Sequence, residues 1–112
     1  MNVETSHTGS TAVAAVSGRV DSANAKEFEE ELSAIIDKGA TGLVVDCGEL
    51  NYISSAGLRV LLLVAKDLQK KGAPFAICSL SGQVMELFTV SGFDQIIAIH
   101  DTRDLALASF NT

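Results

Sequence analysis

The sequence is short of positive charge: eight lysines and arginines stand against fourteen acidic residues, a formal charge of −6. Proteins that bind a nucleic-acid backbone cluster Lys and Arg to displace counterions from its phosphates, so nucleic acid is excluded as a partner. An acidic surface favours solubility and a basic protein partner instead. Proline occurs once, while 47% of the residues are apolar. That balance excludes a disordered or linker-like chain and requires a packed globule. Long hydrophobic runs are missing. The longest, residues 60–65, falls far short of the roughly 20 residues that span a bilayer. No basic-then-apolar leader opens the chain either, so a cytoplasmic location without membrane association is expected. The only two cysteines lie at or beside the ends of strand-like runs, 44–47 and 75–78. They read as small core thiols, with a disulfide as the alternative. Absent too are a GxxxxGK[ST] phosphate loop, a GxGxxG turn, paired histidines and any Cys/His/Asp cluster with ligand spacing. No cofactor, no metal and no catalytic residue is therefore expected.

What is present reads as one domain over residues 1–112. Residues 3–6 and 11–17 are strand-like and joined by His7-Thr8-Gly9-Ser10, which favours an antiparallel pair. Asn24-Ala25-Lys26-Glu27 resembles a capping box, with Asn24 as N-cap. Phe28, Leu32, Ile35 and Ile36 then recur at helical spacing, Glu29, Glu30, Glu31 and Asp37 face water, and Gly39 stops the helix. Leu43-Val44-Val45 forms a short buried strand. Leu58, Leu61, Leu62, Ala65 and Leu68 make the inward stripe of a second helix ending at Lys71-Gly72. Pro74 opens a strand, residues 81–90 suit a helix closed by Gly92, and residues 96–99 make a last strand. Asp101 or Thr102 then caps a final helix through Leu105, Ala108 and Phe110. The order β-β-α-β-α-β-α-β-α predicts an α/β fold: a mixed sheet of four to five strands packed with four helices, the first hairpin supplying the antiparallel edge.

The most informative stretch is residues 43–63, where a buried strand gives way to a polar turn, Ser54-Ser55, Gly57 and an abruptly apolar helix. Ser54 is placed to cap the helix, and Ser55 then takes the first helical position and points to solvent. A hydroxyl there can be an unremarked surface group, a phosphorylation switch or a nucleophile. Gly57 has no evident packing role and is unfavourable inside a helix by up to about 1 kcal/mol, which suggests room for a visitor. Asp46 is placed to bond turn amides, His7 and His100 read as surface residues, and Lys66 and Lys70 as a solvated face. Val60 and Leu63, off the main stripe, meet another helix or a partner. Cys47, at the exit of a strand, offers an enzyme-like alternative as a thiol nucleophile.

Asn51-Tyr52-Ile53-Ser54-Ser55-Ala56-Gly57-Leu58 resembles the signature of the STAS domain family, in particular its stand-alone bacterial anti-sigma factor antagonists. Gly18-Arg19-Val20-Asp21-Ser22-Ala23-Asn24-Ala25 resembles the family's loop into the first helix. Residues 72–80 and Leu87-Phe88-Thr89-Val90-Ser91-Gly92-Phe93 resemble its fourth strand and third helix. The resemblance implies no catalysis. It implies instead regulated binding to a serine-kinase anti-sigma factor with a histidine-kinase-like ATPase fold, reset by a PP2C-type phosphatase. It places phosphorylation on Ser55, two residues before the glycine, with Ser54 the lesser candidate. The partner surface would comprise Asp21, Ser54, Ser55, Gly57, Leu58 and Arg59. Two positions depart from the family pattern: Ser54 replaces a typical aspartate, and Arg59 stands where a small residue is frequent. A non-switching scaffold, or an accessory subunit of a signalling or transport complex, is the alternative.

Overall fold

The computed structural model describes residues 1–110. Its elements are β1 (Asn2–Thr8), β2 (Thr11–Val20), α1 (Ala25–Asp37), β3 (Gly42–Ile53), α2 (Ser55–Lys70), β4 (Phe75–Cys78), α3 (Gly82–Ser91), β5 (Ala98–His100) and α4 (Arg103–Ser109). A 3-10 turn, Phe93–Gln95, joins α3 to β5. The five strands form one sheet in chain order, with β1 antiparallel to β2 and every other pairing parallel. Chain order with parallel pairing requires α1, α2 and α3 each to cross over the sheet.

The two faces of the sheet are covered unequally. Ala12, Ala14, Val16, Leu43, Val45 and Ile77 point toward α1, α2 and α3 and build the main core with Phe28, Leu32, Leu61, Leu68 and Phe88. Val13, Val44, Ala76 and Cys78 alternate with them and face the other way, where Ala106 of α4 covers them with Leu107 and Phe110 at the margin. This final helix buries Ala106 and leaves Leu105 53% exposed, so the inward set is one residue out of phase with the stripe expected from Leu105 and Ala108. Thr102 is its cap, accepting the Leu105 N–H at 3.1 Å. Ser81 caps α3 in the same way, and Gly92 closes it in the left-handed region that glycine enters without strain.

The expected strand at residues 43–45 is only the start of β3, which runs twelve residues. Against β2, the step from Ala15 to Ser17 is matched by Asp46 to Glu49, and the step from Gly18 to Arg19 by Leu50 to Tyr52. Each irregularity gives β3 one extra residue. Cys47, Leu50 and Ile53 are consequently buried at intervals of three rather than two. The sequence read this segment as a polar turn because two bulges erase the alternation that marks a strand.

Candidate functional site

β3 delivers the chain to the N-terminus of α2. The Ser54 N–H donates to the Val20 carbonyl at 2.8 Å, pinning the exit of β3 to the end of β2. Ser54 has extended backbone dihedrals, and its Oγ accepts the Gly57 N–H at 3.3 Å, so it caps α2 as expected. Ser55 follows as the first helical residue, exposed to solvent. Amides at the first two helical positions, Ser55 and Ala56, have no intrahelical acceptor, and they lie at the positive end of the helix dipole. Ser55 thus offers an accessible hydroxyl in a place that tolerates negative charge.

Gly57 and Leu58, expected among the partner contacts, are inside the protein; Leu58 is 6% exposed. A Cβ at position 57 would lie 2.6 Å from Cγ1 of Ile53 and 2.8 Å from Cγ1 of Val20. The glycine therefore admits the ends of β2 and β3 beneath the helix and leaves no space for an outside group. Both Val60 and Val64 are also buried, while Leu63 is 42% exposed. The inward face of α2 is rotated relative to the expected stripe because α1 packs against its flank.

Asp21 directly follows β2, next to this helix start. Its Oδ1 accepts the Ala23 N–H at 3.0 Å, and Oδ2 receives Arg19 Nε at 3.4 Å. The Ala23 amide, more than Arg19, holds the Asp21 carboxyl below the usual carboxylate range. Asn24 makes no side-chain cap. It accepts the Asp21 N–H at 2.9 Å and donates to the Arg19 carbonyl at 3.0 Å, so it staples the loop instead of completing a capping box with Glu27. The Arg19 guanidinium carbon lies 4.8 Å from the Tyr52 ring centroid, a stacking that the cross-strand register creates and local sequence does not signal. Between α1 and α2, starting at Ser22 and Ala56, runs a groove of about 460 Å³. Ala25, Ala56 and Val60 lie along it, with Lys26, Glu29 and Arg59 supplying charge.

Asp46 accepts the Gly48 N–H at 2.9 Å, as expected, and also Arg103 Nε at 2.9 Å. This pair straps α4 across the second face, and its 57-residue separation left no local signal. Cys47 and Cys78 are free thiols, buried in the protein. Burial pushes the Cys47 thiol far up, helped by Cys78 and Asp46, which is the opposite of what a nucleophile needs. Among the described residues no helix is long and apolar enough to cross a membrane.

The STAS domain family model matches residues 2–106, and the chain belongs to that family. It is 47% identical over 100 residues to a Bordetella bronchiseptica protein, BtrV, that carries the name of an anti-sigma factor antagonist; the match covers 89% of this chain and 86% of that one. It is also 30% identical over 84 residues to the anti-sigma-B factor antagonist of Listeria monocytogenes, covering 75% and 74%. An anti-sigma factor antagonist of Mycobacterium paratuberculosis has the same fold, with a TM-score of 0.92 at 22% identity over 99% of this chain and 94% of that one. The unphosphorylated form of SpoIIAA superposes with a TM-score of 0.79 at 20% identity, over 95% and 93%. These relatives are named as antagonists, not as enzymes.

Proposed function

We propose that this chain, as one STAS domain over residues 1–112, is an anti-sigma factor antagonist switched by phosphorylation. The unmodified protein binds a serine-kinase anti-sigma factor of histidine-kinase-like ATPase fold through Asp21, Ser54, Ser55, Arg59 and their surroundings. Phosphorylation of Ser55 by that kinase ends the binding, and a PP2C-type phosphatase restores it. The observation that carries this reading is the exposure of Ser55 at the start of α2, supported by the names of the relatives.

Magnitudes favour exclusion over unfolding as the mode of release. A phosphate at Ser55 adds about −1.5 to −2 charges, and the helix start favours them by about 0.3–1 kcal/mol. A partner surface fitted to a neutral hydroxyl would have to bury that charge unpaired, at a cost of several kcal/mol. Even about 3 kcal/mol is a hundredfold in affinity. The test is Ser55→Asp beside Ser55→Ala, with a purified serine-kinase anti-sigma factor from the same organism as the binding partner. Both variants should melt within a few degrees of the parent. The aspartate should lose binding at least a hundredfold, and the alanine should bind but accept no phosphate from ATP. An aspartate variant that binds normally refutes the switch and leaves the non-switching scaffold.

A further inference from the structure

Arg59 follows Ser55 by four positions on α2, and both side chains are exposed. Positions four apart on a helix bring their Cβ atoms to about 6 Å, and an acidic group N-terminal to a basic one is the favourable order. Among the described residues Arg59 makes no ion pair. The groove it lines receives Lys26 and Glu29 from α1, opposite charges that offset each other, and the Asp21 carboxylate is already engaged by the Ala23 amide and Arg19. Ser54 already uses the Gly57 amide, so a phosphate on Ser55 finds only the first two amides of the helix locally. A dianion needs more than that, and the guanidinium one turn on can supply two parallel donors.

Resting on the reading of Ser55 as the modified residue, we propose that Arg59 is a phosphate-holding residue: it folds back one turn, pairs with phosphorylated Ser55 and keeps it fully ionised. In the unmodified protein the same guanidinium lies open beside the groove, so modification both adds negative charge and withdraws a positive contact from the partner surface. The experiment installs phosphoserine at position 55 during synthesis, by genetic encoding, so that no kinase is required. Phosphorus NMR then follows the second ionisation of the phosphate in the parent, Arg59→Ala, Arg59→Lys and Lys26→Ala proteins. The midpoint should rise by about 0.3 unit or more in Arg59→Ala. In Arg59→Lys it should fall between the two, and added salt should shrink the difference. Unchanged midpoints in Arg59→Ala, or a larger shift in Lys26→Ala, overturn the proposal. Because Arg59 is exposed, the variants should melt with the parent. A kinase that never modifies Ser55 would refute the proposed function instead, and would leave this titration unaffected.

Discussion

Gly57 stands in the first turn of α2, directly over the side chains of Ile53 and Val20. Read locally, a glycine in a helix costs stability, and replacing it with alanine should gain up to about 1 kcal/mol. In three dimensions the added methyl would press on Ile53 and Val20 at 2.6 and 2.8 Å, and both of those side chains are buried, at 1% and 0% exposure. Overpacking of this kind costs about 1–3 kcal/mol, enough to cancel the propensity gain. Gly57→Ala is therefore expected to lower the stability measured by urea denaturation, by up to about 2 kcal/mol. A stabilised variant would mean that the space is open and that the glycine serves an outside group after all. Ser54 and Ser55 show the converse: their roles as cap and exposed neighbour were legible, because capping depends only on the few residues around it.

Among the elements, β3 and α4 depend on each other in a way neither sequence segment announces. The first bulge turns the Asp46 carboxylate to meet both the Gly48 amide and Arg103. The two partners of this ion pair are unequally exposed, 42% at the Arg103 side chain and 14% at Asp46. Removing the arginine takes away a partly solvated contact worth below about 1 kcal/mol. Removing the aspartate strips the acceptor from a bulge amide as well and should cost about 1–2 kcal/mol. Asp46→Ala is thus expected to destabilise more than Arg103→Ala in chemical denaturation. Hydrogen exchange should show faster opening of α4 in both variants. Equal losses would mean that the bulge does not rely on the carboxylate.

Across the whole molecule, the sheet separates two cores, and each holds one thiol: Cys47 in the main core that α1, α2 and α3 cover, Cys78 in the smaller one beneath α4. Desolvation raises both thiols, and only the thiolate reacts. Native protein at neutral pH should resist iodoacetamide at both positions, whereas urea-unfolded protein should be alkylated at both within minutes. Rapid labelling of Cys47 in the folded state would revive the nucleophile reading.

The sequence by itself determined the order of elements, the mixed sheet with its antiparallel edge, and the exposed serine at a helix start. Those depend on periodicity, turn residues and caps, which act over a few positions. Tertiary structure alone decided the length of β3, the face that α2 buries, the reason for Gly57 and the pairing of Asp46 with Arg103. Each of these arises where segments distant in the chain meet, and close packing at such meetings overrides what a residue prefers in isolation.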